Sequence, residues 1–106
     1  MSPDENAKTD STAGVVRPLW DVVEVEALSG FRLRVRFEDG VQGEVHMSRF
    51  LDDRRVDATV FAPLRYPHAF AQVRVEMGAV CWESGADLAP DVMYDEISAH
   101  GRWIVT

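Results

Sequence analysis

The run Phe31-Arg32-Leu33-Arg34-Val35-Arg36-Phe37 alternates apolar and charged residues without a break. A period of two marks a β-strand with one buried face, so Phe31, Leu33, Val35 and Phe37 point to a core and three arginines point away from it. The flanks repeat the pattern. Val22 to Ala27 sets Val23, Val25 and Ala27 inward and Glu24 and Glu26 outward. Val41 to Met47 sets Val41, Val45 and Met47 inward, with Gln42, Glu44 and His46 opposite. Leu28-Ser29-Gly30 and Glu38-Asp39-Gly40 divide the runs and predict an antiparallel three-strand meander. A three-residue loop ending in glycine keeps the apolar faces aligned, whereas a two-residue turn would oppose Phe37 and Gln42. This register opposes Ala27 with Phe31 and Phe37 with Val41. It arranges Glu24, Arg34 and Glu44 in one row across the sheet, and Glu26, Arg32 and His46 in the next.

Those rows decide how Arg32, Arg34 and Arg36 are read. Alone, the stripe suggests a phosphate-binding face. Opposite charges facing each other across a sheet contribute roughly 0.2–1 kcal/mol per pair, and here carboxylates flank the stripe on both sides. The stripe therefore reads as a solvated charge ladder. A net charge of −7 agrees, because binding nucleic acid without sequence preference requires surplus cations to displace phosphate counterions. A nucleic-acid-binding transcriptional regulator component using Arg32, Arg34 and Arg36 is the alternative reading, and nucleic acid is not the expected partner.

Past the meander the chain predicts short helical turns. Ser48 caps one through Leu51, Thr59 caps Val60 to Leu64, and Pro67 opens one that carries Phe70. Phe61, Leu64 and Phe70 close one end of the core. Val73 to Glu76 and Ala79 to Trp82 form a second β-hairpin around Met77-Gly78, opposing Val75 with Val80 and Val73 with Trp82. Pro90 to Ser98 predicts a C-terminal helix. Its Pro90, Met93, Tyr94 and Ile97 recur at i, i+3, i+4 and i+7, while Asp91 and Asp95 lie on the opposite side. Gly101 fits the stop. The tail Trp103-Ile104-Val105 is apolar and is expected to dock on the core, with a partner-facing or homodimer-facing edge as the alternative. The sum is one α+β domain over residues 15–106, behind a polar lead, residues 1–14, that is expected to be disordered.

A chain of 106 residues fits one domain. Its single cysteine, Cys81, has no disulfide partner in the chain, which fits a reducing compartment. The N-terminal stretch has no apolar signal region and nothing approaches the roughly 20 apolar residues of a membrane span, so a cytoplasmic, membrane-free protein is expected. His46, His68 and His100 form no metal-spaced pair. Cys81 shares a strand face with Arg74, yet no histidine is placed as its base. Asp52, Asp53 and Asp57 lack the glycine of a calcium loop and are interrupted by Arg54-Arg55. Glycines stand singly rather than in a phosphate-cradling run, and no serine occupies a nucleophile elbow. These readings predict a chain that is not an enzyme, with no catalytic residue, metal or cofactor. An unrecognised enzyme or small-ligand binder near Trp82 and Tyr94 is the third reading.

Charge is unevenly distributed. Residues 31–74 carry eight arginines against six acids, whereas residues 75–100 carry Glu76, Glu83, Asp87, Asp91, Asp95 and Glu96 with no lysine or arginine. Such a segment either solvates the domain or meets a basic partner.

Several ordered motifs give the chain a family resemblance. They are Leu33-Arg34-Val35-Arg36-Phe37-Glu38-Asp39-Gly40, then Phe61-Ala62-Pro63-Leu64 and Phe70. Val80-Cys81-Trp82-Glu83-Ser84-Gly85-Ala86-Asp87-Leu88 follows, with Ala89-Pro90-Asp91 and Met93-Tyr94-Asp95 at the end. Over about residues 18–96 the chain resembles the domain-of-unknown-function family 2442 of small bacterial domains. The family usually shows Trp-Pro-Asn-Gly where Trp82-Glu83-Ser84-Gly85 stands, and Leu-Tyr where Met93-Tyr94 stands. The resemblance implies an α+β domain without established enzymatic activity. Some members carry a helix-turn-helix after the domain, and none is expected after Thr106. Others are encoded beside small toxin-like proteins, which implies an antitoxin-like or inhibitor-like role. The expected activity is protein binding, with a basic toxin or nucleic-acid enzyme met by Asp87, Asp91, Asp95, Glu96 and Trp103.

Overall fold

The computed structural model describes residues 20–106, so the lead expected over residues 1–14 lies outside the described residues. Along the chain run β1 (Val22–Leu28), β2 (Arg32–Phe37), β3 (Gln42–His46), α1 (Ser48–Leu51), α2 (Pro67–Phe70), β4 (Arg74–Glu76), β5 (Ala79–Cys81), α3 (Pro90–His100) and β6 (Arg102–Ile104). Single 3-10 turns at Arg54–Val56 and Ala62–Arg65 lie between α1 and α2. The fold is α+β. One sheet has the order β1-β2-β3-β6, and β4 and β5 make a separate hairpin.

The alternating run is the centre of the larger sheet. Leu33, Val35 and Phe37 are fully buried, as are Val45 of the neighbouring strand and Met47 just after it. The β2–β3 register pairs Arg32 with His46 and Arg34 with Glu44, and the Phe37 amide donates to the Val41 carbonyl at 2.8 Å. This is the register expected from the Glu38-Asp39-Gly40 loop, whose Gly40 takes φ +93°.

The β1–β2 register differs from the expected one by two residues. Leu28 rather than Ala27 closes the hairpin, Glu26 faces Arg34, and Glu24 faces Arg36. The physical reason lies at Phe31. Gly30 and Phe31 both take positive φ, 73° and 57°, so the loop is Ser29-Gly30-Phe31. Phe31 leaves the strand and sets its ring edge-on to Phe70, centroids 5.3 Å apart. A two-residue slide keeps every side chain on its own face, which is why the arginines still face carboxylates. A second adjustment is a bulge between Val22 and Glu24. It turns Val22 into the core, where Val23 was expected, and leaves Val23 half-buried.

The second hairpin has the expected register, Val75 opposite Val80, with Met77 and Gly78 both at positive φ. Segment 86–88 then returns beside β5, the Leu88 amide donating to the Val80 carbonyl at 3.0 Å. Trp82 is buried, and its indole N–H donates to the Phe70 carbonyl at 2.9 Å, so its one polar atom is satisfied. Arg65 ties the loops after α1: its guanidinium donates to the carbonyls of Leu51 (2.6 Å) and Asp53 (3.0 Å) and pairs with Asp57 at 2.7 Å.

Smaller expectations are corrected at the helix starts. Met47, not Ser48, is the cap of α1. Thr59 accepts from the Phe61 amide at 3.2 Å, but the helical residues are Ala62–Arg65 rather than Val60 to Leu64. His68 lies in α2 and His100 ends α3. The apolar tail does more than dock: it forms β6, parallel to β3, with Trp103 opposite Val45.

Candidate protein-binding surface

Helix α3 follows from its sequence. Pro90 occupies its first turn, where a missing N–H leaves nothing unsatisfied. Asp91 lies in the same turn, favoured by the helix dipole. Met93 and Ile97 are buried, and Tyr94 sets its ring edge-on to Phe37, 5.1 Å between centroids. Gly101, at φ +79°, ends the helix with its amide on the Ile97 carbonyl at 2.7 Å.

Gly43 in β3 makes room for this packing. A Cβ there would come within 2.5 Å of the Gly101 carbonyl oxygen and 2.6 Å of Ile97 Cγ2. One turn earlier in the helix the Tyr94 hydroxyl donates to Asp39 Oδ2 at 2.5 Å, tying α3 to the β2–β3 loop. That bond holds the Asp39 carboxyl below the usual range and raises the Tyr94 phenol above its own.

With the helix fixed, Asp91 and Asp95 stand exposed one turn apart on its outer side. Val92, 43% exposed, lies beside Asp91. Asp87 is exposed on the returning segment beside β5, across from Cys81. Glu96 is half-buried and points away from the Asp91–Asp95 side. Among the described residues, no lysine or arginine forms an ion pair with Asp87, Asp91, Asp95 or Glu96. Trp103 is not part of this surface. It lies half-buried on the core side of β6, and Arg102 and Ile104 are the residues of that strand that face outward.

The arginine face is organised in the opposite way. Arg34 Nη1 donates to Glu26 at 2.8 Å, Arg36 Nε to Glu24 at 3.0 Å, and Arg32 Nη1 to Glu44 at 3.0 Å. His46 Nε2 also meets Glu44 at 3.0 Å. Hydrogen bonds from Arg36 and Arg32 hold the Glu24 and Glu44 carboxyls below their ordinary range. Arg102 extends the row Glu26–Arg34–Glu44 on the fourth strand. A groove of about 650 Å³ runs between this face and β4, lined by Glu24, Glu26, Arg34, Arg36 and Arg74. Arg74 is itself bonded to Glu76 at 2.8 Å.

The aromatic pair considered as a ligand site is used structurally, Trp82 by the Phe70 carbonyl and Tyr94 by Asp39. Asp53 faces Arg55 and Asp57 faces Arg65. Among the described residues no cluster of three or more His, Cys, Asp or Glu side chains is set to hold a metal ion. No helix among them is long and apolar enough to cross a membrane.

Sequence reasoning missed Gly43, Arg65 and Arg102. Only Gly43 left a trace, as a gap between Val41 and Val45 in the inward positions.

No curated protein and no solved structure matches the chain. The family model described as "Protein of unknown function (DUF2442)" matches residues 22–99, the span from the start of β1 to the last turn of α3. The chain belongs to the DUF2442 family.

Proposed function

We propose that this chain is a non-enzymatic protein-binding module, antitoxin-like or inhibitor-like, that engages a basic partner through the outer side of α3 and the segment before it. The observation that carries this reading is the contrast in charge pairing. Arg32, Arg34 and Arg36 each hold a carboxylate, whereas Asp87, Asp91 and Asp95 stand exposed without a cationic partner among the described residues. Unpaired surface charge of one sign steers an oppositely charged protein and speeds its association. Val92 adds apolar contact area between the carboxylates.

The test is the association rate with the protein that co-purifies with the chain, for wild type and for Asp91→Lys/Asp95→Lys. At low salt the double variant should associate about tenfold more slowly, and its rate should lose most of the salt dependence that the wild type shows. An unchanged rate would sink the reading. The nucleic-acid alternative has less support, since its arginines are already engaged by Glu24, Glu26 and Glu44. Salt-sensitive binding of duplex or single-stranded DNA at low ionic strength, abolished by Arg34→Ala/Arg36→Ala, would reinstate it.

A further inference from the structure

The two edges of the four-stranded sheet are finished differently. At β1 the edge is interrupted by the bulge between Val22 and Glu24, and the Val22 amide is taken by the Gly78 carbonyl at 2.9 Å. The β4–β5 hairpin lies alongside it. Bulges and covering elements of this kind keep an edge from pairing with another chain. At β6 the described residues supply neither.

The hydrogen bonds between β3 and β6 fix which backbone groups remain open there. The Glu44 amide donates to the Gly101 carbonyl (3.4 Å), and the Val105 amide donates to the His46 carbonyl (3.0 Å). In a parallel pair every second residue of a strand bonds to the same neighbour. Residues 101, 103 and 105 therefore face β3, and the N–H and C=O of Arg102 and Ile104 point away from the sheet. Ile104 carries its side chain on the outer face beside His46 and is 43% exposed, an apolar residue in a charged surface.

We propose that β6 pairs antiparallel with β6 of a second copy of this chain, about a two-fold axis at Ile104, to give a continuous eight-stranded sheet. The register follows from the sequence of the strand. An axis at Ile104 brings together the residues with open backbone groups, Ile104 with Ile104 of the second copy and Arg102 with Thr106. The half-buried Trp103 then faces Val105 on the core side. An axis at Arg102 would instead oppose two arginines and leave both isoleucines exposed. Self-pairing also satisfies the symmetry of closed dimers, in which one patch meets itself. The contact is short, so the dimer is weak and concentration-dependent. Both α3 helices would lie on the same face of the joined sheet, doubling the acidic surface. The dimer itself does not depend on what that surface binds.

Sedimentation of the whole chain between about 5 and about 500 μM tests this, because mass action then spans a weak dimer. The wild type should move from monomer to dimer mass. Ile104→Pro removes only an N–H that points away from β3, and it should stay monomeric throughout. Ile104→Lys keeps the backbone and opposes two charges at the axis, and should raise the dissociation constant at least tenfold; if the proline variant does not fold, this variant decides alone. In a mixed-label sample, intermolecular contacts should appear at the Ile104 amide. A wild type that stays monomeric overturns the proposal, as does a dimer that Ile104→Lys leaves intact. A monomer with a slowly exchanging Ile104 amide also overturns it, since the edge would then be covered within one chain.

Discussion

The two faces of the central sheet are held by different physics. On the inner face, Leu33, Val35, Phe37 and Val45 are buried, Phe37 meets Tyr94 of α3 edge-on, and Gly43 lets that helix sit at a distance no side chain would allow. On the outer face, residues of the same strands carry exposed ion pairs, Glu24–Arg36, Glu26–Arg34 and Glu44–Arg32. Interiors are packed so closely that one added methyl group is felt. Exposed pairs in high dielectric contribute little, because water competes for both partners. Shape decides one face and charge balance the other, so stability should respond far more to a methyl group inside than to a whole arginine outside.

The largest expected effect is at Gly43. Gly43→Val would place its side chain against the Gly101 carbonyl and Ile97, costing about 3 kcal/mol or more and displacing α3. Denaturant unfolding measures it, and a loss below about 1 kcal/mol would mean the helix can back away freely. Trp82→Phe comes next, at about 2 kcal/mol, because it removes core volume and leaves the Phe70 carbonyl without its indole donor. Both values test the inner face.

The outer face and the surface loops are probed together by acid. Glu24, Glu44, Asp39 and Asp53 all have carboxyls held below their ordinary range, chiefly by hydrogen bonds from Arg36, Arg32, Tyr94 and Arg55 respectively. A carboxyl depressed in the folded state stabilises the fold above its unfolded pKa and loses that contribution as pH falls through the folded value. Thermal unfolding should therefore be flat from about pH 7 to about pH 5, then shift to lower temperature below about pH 4. Tyr94 works in the opposite direction, since its raised phenol contributes below the unfolded value and is lost in strong alkali. A Tm that stays flat down to pH 2 would show that none of these pairs matters. The smallest effect is expected for Arg34→Ala, less than about 3 °C in Tm. A larger loss would show the ladder acting as a network rather than as separate pairs.

Where the sequence was legible, one local signal settled the matter. Gly40 and the Phe37–Val41 pair fixed the second hairpin of the meander, and the spacing of Met93, Tyr94 and Ile97 placed Asp91 and Asp95 outward on α3. The first hairpin was only half legible. Period-two alternation fixes which face a residue takes but is blind to a slide of two residues. That slide was decided by the contact of Phe31 with Phe70, far away in the chain. β6 has three residues and pairs with a strand more than fifty residues earlier, so no local pattern announced it. For the same reason the docking expected of the tail carried no position, and Trp103 also read as part of the partner surface although it faces Val45 on the core side. Arg65 left no trace at all, because two of its acceptors are carbonyls that every residue possesses.

That arginine has a further consequence. Between Leu51 and Leu64 only Val56 is fully buried, with Phe61 and Ala62 half-buried, so the first part of the segment has few apolar anchors and the Arg65 guanidinium is its main polar attachment. A lysine at that position could not reach three acceptors as a planar fork does. Exposed Arg54 and Arg55 sit within the same segment, side by side, as ready sites for trypsin. The rate of cleavage there measures how often this end of the domain comes loose while the sheet stays folded. In Arg65→Lys that rate should rise well before the global melting temperature moves, making the loop a separate unit of opening within a domain of one core.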